Sequence, residues 1–157
     1  MSKLVFDILE EPTGALYHEL LDAAQEVCSH ALLVLQHIIK PDLGANEVLN
    51  RLEPFRVRSE ELAEWPGTRL FLGYTATVMT YRYESGFINA LHEISDRLYG
   101  WELPSLPEDL CFLRADASPW LVTIAHERDS YLELTNDEKD HLLARLPELK
   151  IDRKNDQ

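Results

Sequence analysis

Apolar residues recur at helical spacing over the first quarter of the chain. Within residues 15–39 the side chains of Leu16, Leu20, Val27 and Leu35 fall on one face, which is the pattern of an amphipathic helix. Thr13 is a suitable N-cap residue, and Pro41 cannot continue a helix. The spacing therefore predicts one long helix over residues 15–39.

The same kind of pattern predicts three more helices. They are expected over residues 46–52, 85–98 and 135–145. The last begins with Thr135 and Glu138 three residues apart, which is the spacing of a capping box. The helix over residues 46–52 is short, so the other predicted helices are the three main ones.

Strands are predicted where β-branched and aromatic residues accumulate. Residues 70–83 favour one long bent strand or a pair of strands. Residues 110–114 and 120–127 favour two strands joined by a short polar connection, which indicates an antiparallel hairpin. Residues 54–68 read as an irregular or short-strand connection.

These elements predict an α+β fold. We expect an antiparallel sheet that includes a C-terminal β-hairpin and packs against three main helices. The 157 residues, 45% of them hydrophobic, suffice for one core, so residues 1–149 are predicted to form a single domain. Residues 150–157 are polar, and we expect a frayed tail.

Charge is the outlying property of the composition. The chain has 28 acidic and 15 basic residues, a net charge of −13. Residues 1–50 hold 8 acids and 2 bases, residues 51–100 hold 7 and 6, and residues 101–157 hold 13 and 7. Such a field repels phosphate backbones and anionic membranes and attracts basic surfaces. It predicts a basic protein partner, no nucleic acid and no membrane; a role in solubility alone is the alternative.

The compartment is predicted from the N-terminus and the cysteines. Asp7, Glu10 and Glu11 interrupt the place where a signal peptide needs an apolar stretch, and no segment is apolar enough to span a membrane. Cys28 and Cys111 lie far apart among apolar residues, which favours buried free thiols over a disulfide. We therefore expect a cytoplasmic protein.

No catalytic signature is complete. His126-Glu127 lacks the second histidine of a zinc protease motif, since Ser130 stands at that position. The six glycines form no phosphate-binding loop, and no serine has a glycine-flanked elbow. The prediction is a protein without metal or cofactor that is not an enzyme. The alternative is an enzyme of unfamiliar type with His126, Glu127 and Asp116 as acid/base residues.

Acidic residues lie beside aromatic residues at three places, a combination that suits an interface with a basic protein. A core position for each tryptophan is the alternative. The predicted partner-binding residues are Glu60, Glu61, Glu64, Trp65, Trp101, Glu102, Glu108, Asp109, Glu127, Asp129 and Tyr131.

Three segments carry a resemblance to small bacterial proteins. They are Trp65-Pro66-Gly67-Thr68, the stretch from Leu106 to Phe112, and the stretch from Pro119 to Glu127. In size, acidity and lack of catalytic motifs the chain is also similar to immunity proteins, which neutralise antibacterial toxins. That resemblance implies steric and electrostatic occlusion of a basic toxin. A nucleic-acid-mimicking inhibitor is a further alternative.

Overall fold

The computed structural model describes residues 2–155 of the chain. The four α-helices are α1 (Gly14–Ala24), α2 (Leu43–Leu52), α3 (Ser85–Ile94) and α4 (Asn136–Arg145). The ten strands are β1 (Leu4–Ile8), β2 (His30–Gln36), β3 (Arg56–Leu62), β4 (Glu64–Trp65), β5 (Thr68–Arg69), β6 (Ala76–Arg82), β7 (Glu108–Leu113), β8 (Pro119–Ile124), β9 (Asp129–Leu134) and β10 (Ile151–Arg153).

Eight of the strands form one antiparallel sheet in the order β10-β1-β9-β8-β7-β2-β6-β3. Strands β4 and β5 form a separate two-stranded hairpin. The sheet and its four helices confirm the predicted α+β class, and the predicted C-terminal hairpin is the pair β7 and β8.

The hydrophobic core has two parts, one on each face of the sheet, and the central strands contribute side chains to both. In β2, Leu33 belongs to the larger cluster, which also contains the buried residues of α1 and α3. Leu32 and Val34, on the opposite side of the same strand, belong to a smaller cluster. Side chains alternate along a strand, so the sheet separates a helix-covered face from a second face.

Residues 63–70 cover part of this second face. Trp65 is buried within the smaller cluster. Gly67 has a φ of +87°, and a Cβ atom at this position would lie 2.7 Å from Cγ1 of Val122. The turn between β4 and β5 thus lies directly on the sheet.

The predicted helix over residues 15–39 is wrong beyond Ala24. The helix ends there, and residues 30–36 form β2, a central strand with neighbours on both sides. Because β2 is buried on both faces, it reads as a continuous apolar run without the period of two. The apolar residues of α1 and of β2 coincidentally follow a single helical spacing, and for this reason the pattern predicted one helix.

Other boundaries also differ from the predictions. The helix expected over residues 85–98 ends at Ile94. Residues 70–75 lie in a loop before β6, while the connection expected over residues 54–68 contains the edge strand β3. The capping box of Thr135 and Glu138 is present at the start of α4, as predicted.

The ends of the chain form neighbouring strands. β1, which was not predicted, pairs with β9 on one side and β10 on the other. Residues 151–153 are therefore not frayed, because they add a strand to the sheet, whereas residues 156–157 of the expected tail lie outside the described residues. None of the helices in residues 2–155 combines the length and apolar character needed to cross a bilayer.

Candidate functional site

Four large apolar side chains are exposed near one end of β2 and β6. They are Ile38 (82% exposed), Phe71 (69%), Leu72 (94%) and Tyr74 (63%), and we call them the apolar patch. With neighbouring residues, three of them (Ile38, Phe71 and Tyr74) line a groove of about 640 Å³. Large exposed apolar patches often mark surfaces that contact other molecules, so this groove is a candidate binding surface.

The backbone at the tip of the patch is unusual. Leu72 adopts a φ of +61° and Gly73 a φ of +80°. A left-handed conformation costs a residue with a Cβ atom about 1–2 kcal/mol. Leu72 therefore combines an unfavourable backbone conformation with nearly complete exposure, a combination that sites of function tolerate more often than other surfaces.

Polar side chains close one border of the groove. The carboxylate of Glu61 accepts hydrogen bonds from Thr75 and Thr77 and lies within hydrogen-bonding distance of Nε2 of His37. Hydrogen bonds from Thr77 and His37 hold the pKa of Glu61 below its ordinary value. Glu61 is thus a fixed negative charge beside the apolar patch.

The other two acids predicted with Glu61 already have basic partners. Glu60 pairs with Arg58 at 3.2 Å, and Glu64 pairs with Arg69 at 3.3 Å. These residues are exposed, as an interface requires. Their charges are nevertheless balanced within the chain, so Glu60 and Glu64 contribute little to the net charge of −13.

A second acidic surface lies on the sheet face opposite the helices, around Tyr131. Asp7 stands in register with Tyr131 on one side and with Asp152 on the other, and Asp129 and Glu133 flank Tyr131 along β9. We call Asp7, Asp129, Glu133 and Asp152 the acidic face. Burial, then Glu133 and Asp129, raise the pKa of Tyr131 to about 12.

None of the four carboxylates of the acidic face forms an ion pair within residues 2–155. Asp7 and Asp152 stand directly opposite each other, and like charges in that position destabilise a pair of strands. Of the predicted partner-binding residues, Asp129 and Tyr131 lie on this surface.

Four predicted partner-binding residues are buried, so their assignment to a surface is wrong. Trp101 is fully buried and donates a hydrogen bond from Nε1 to the hydroxyl of Tyr17 at 2.9 Å. Trp65, Glu108 and Asp109 are 6%, 2% and 0% exposed. The alternative of core tryptophans therefore applies to both Trp65 and Trp101. Glu102 is half-buried and lies 3.9 Å from Arg128.

The three acid/base candidates do not form one site. Asp116 lies in the turn before β8, and His126 lies two residues after its end. The six residues of β8, a rise of about 20 Å, therefore separate them. Ser118 holds the pKa of Asp116 below its ordinary value through two hydrogen bonds. Glu127 lies 3.8 Å from His126.

His126 lies instead beside two buried carboxylates. One ligand atom from each of Glu108, Asp109 and His126 lies within 4.8 Å of the others. Consecutive residues of a strand normally point to opposite faces, but Asp109 has a φ of +58°, in the left-handed region. Both carboxylates nevertheless lie close to His126, and we call Glu108, Asp109 and His126 the carboxylate cluster.

Hydrogen bonds fix the two carboxylates. Asp109 accepts from the backbone N–H of Ala125 at 3.0 Å and from Nε1 of Trp65 at 3.2 Å. Glu108 accepts from the amide of Gln36 at 2.8 Å. Burial raises the pKa of Asp109 to about 6; the bond from Ala125 opposes this rise, and the charge of Glu108 adds to it.

The sequence predictions missed the apolar patch and the carboxylate cluster as units. The strand predicted over residues 70–83 includes Phe71, Leu72 and Tyr74, and the helix predicted over residues 15–39 includes Ile38. The glycine at position 73, within an apolar run and close to a Pro-Gly turn, was the available signal for a loop. No local signal joins His126 to Glu108, because the sheet brings them together.

Comparison with protein-family models, with curated proteins and with solved structures finds no match to this chain.

Proposed function

We propose that this chain is a protein-binding protein whose partner carries a basic surface. The observation that carries the proposal is the apolar patch, which exposes Ile38, Phe71, Leu72 and Tyr74 together. An immunity protein that neutralises a basic toxin by steric and electrostatic occlusion is the specific form that we propose. The cytoplasm is the proposed compartment, since buried free thiols such as Cys28 and Cys111 persist under reducing conditions.

The apolar patch supplies the contact energy in this proposal. Burying a large apolar side chain is worth about 1.5–3 kcal/mol, so a few anchors suffice for a specific complex. Leu72 contributes most because it is 94% exposed and thus has nearly its whole side chain to bury. A partner that holds the 71–74 loop also offsets the cost of its left-handed backbone.

The charge of the chain selects the partner. A net charge of −13 attracts basic surfaces over a distance of about 8 Å in physiological salt. The acidic face provides charges without partners in the described part of the chain, and Glu61 provides a fixed charge beside the apolar patch. Acids of this kind mainly accelerate association, whereas the apolar contacts slow dissociation.

The first experiment compares capture by three forms of the protein in a lysate of the native host. The wild type, Leu72→Asp and Leu9→Asp serve as baits. Leu9 is 59% exposed and lies outside the patch, so Leu9→Asp is a matched control. We expect a basic protein to bind the wild type and the control but not Leu72→Asp.

The captured protein is then purified and its association measured at increasing salt. We expect the association rate to fall steeply with salt and the dissociation rate of Leu72→Asp to rise by more than about tenfold, which corresponds to 1.4 kcal/mol. An acidic partner, or equal binding by Leu72→Asp and Leu9→Asp, would contradict the proposal. A salt-independent association rate would refute its electrostatic part.

A further inference from the structure

The carboxylate cluster has a charge that the described part of the chain does not balance. Glu108 and Asp109 are 2% and 0% exposed, yet no lysine or arginine forms an ion pair with either within residues 2–155. Buried carboxylates are normally paired with a cation or coordinate a metal, because an isolated buried charge is costly. Glu108 and Asp109 thus lie side by side in the interior without a lysine or arginine partner among the described residues.

The geometry also leaves ligand atoms available. Oε2 of Glu108 accepts the bond from Gln36, while Oε1 accepts no hydrogen bond from residues 2–155. Each oxygen of Asp109 accepts one hydrogen bond and retains a second lone pair. The side chain of His126 is 49% exposed, so the cluster is open to solvent on the side of the imidazole.

We propose that Glu108, Asp109 and His126 bind a divalent transition-metal cation such as Zn²⁺ or Mn²⁺. Three atoms within 4.8 Å of one another surround a point no more than about 2.8 Å from each. Typical zinc bonds to nitrogen and carboxylate oxygen are about 2.0–2.2 Å, so each ligand atom moves less than about 1 Å to reach the metal.

The ligand types decide the class of cation. Two carboxylates neutralise a dication and are ligands that Mn²⁺ accepts. The imidazole nitrogen favours Zn²⁺ over Ca²⁺, which takes oxygen ligands. Gln36 and the N–H groups of Ala125 and Trp65 hold the carboxylates in place, as outer-shell partners do around metal sites. Three protein ligands leave coordination positions for water or a further ligand.

The test is metal binding by the purified protein, measured by calorimetry with Zn²⁺ and by electron paramagnetic resonance with Mn²⁺. We expect one site, and nitrogen modulation from His126 in the pulsed spectrum of bound Mn²⁺. His126→Ala and Glu108→Gln are expected to lower affinity by more than about tenfold, the loss typical of changes at metal sites. Neither variant is expected to change the far-ultraviolet circular dichroism.

A matched control uses His141, an exposed histidine 3.1 Å from a carboxylate oxygen of Glu26. His141→Ala is expected to bind metal as the wild type does. Absence of binding by the wild type, or an equal loss in His126→Ala and His141→Ala, would overturn the proposal. Retention of the nitrogen modulation in His126→Ala would overturn it as well.

Discussion

Replacing Gly67 by alanine tests whether the hairpin of β4 and β5 packs on the sheet. A Cβ atom here would lie 2.7 Å from Cγ1 of Val122 and 3.1 Å from Cγ1 of Ile124. Val122 is fully buried and β-branched, so its side chain cannot rotate away freely. Overpacking of this kind costs about 1–3 kcal/mol. The φ of +87° adds about 1–2 kcal/mol for any residue with a Cβ atom.

Gly73 provides the control for the backbone contribution. Its φ is +80°, but no atom lies within 4 Å of a Cβ atom built there. Gly73→Ala is therefore expected to lose only the backbone contribution, and Gly67→Ala is expected to be less stable than Gly73→Ala by about 1–3 kcal/mol. Urea unfolding followed by tryptophan fluorescence measures both free energies. Equal losses would refute the packing of Gly67 against Val122.

Two further predictions concern titratable groups. Burial alone would raise the pKa of Glu138, but hydrogen bonds from Arg114 and Thr135 lower it below 4.5. The ionised carboxylate therefore stabilises the folded state fully above pH 4.5. This contribution is lost as the pH falls through the lowered pKa. Glu138→Gln should cost about 1–3 kcal/mol in urea unfolding at pH 7 and progressively less below pH 4.5; a pH-independent loss would contradict this. Burial raises the pKa of Cys28 and of Cys111 to about 12. Neither thiol should therefore react with a disulfide reagent until urea unfolds the protein. Rapid reaction of the native protein would contradict the burial of these thiols.

The elements that could be predicted are those whose signals are local. The capping box at Thr135 and Glu138 fixes the start of α4 through contacts within four residues. The hairpin of β7 and β8 needs only two short strands and a polar connection. In both cases the residues that decide the structure are neighbours along the chain.

The terminal strands depend on distant partners. In β1, Phe6 stands opposite Leu132 in β9 and Arg153 in β10. β10 has only three residues, too few to show an alternating pattern, and it is a strand because β1 provides an edge. A sequence pattern contains no information about such an edge, which explains why the tail was expected to be frayed.

The burial of Trp65 and Trp101 shows a second limit of the sequence. Both tryptophans stand beside acids, which suggested an exposed interface. In the structure their indole N–H groups bond Asp109 and the hydroxyl of Tyr17 inside the protein. An acid next to a tryptophan therefore predicts an interface only when the acid is exposed, and local sequence does not give that exposure.

The apolar patch shows the opposite error. Residues 70–74 carry the composition of a strand, and composition alone cannot separate a run that enters the core from one that stays in solvent. What separates them is the backbone, because the positive φ of Leu72 and of Gly73 prevents the run from continuing as a strand. Leu72 is then 94% exposed, and no intramolecular packing in the described chain compensates for its conformation. Leu72 is therefore unfavourable both in its backbone conformation and in its exposure, and for this reason it is the position at which the binding proposal is tested.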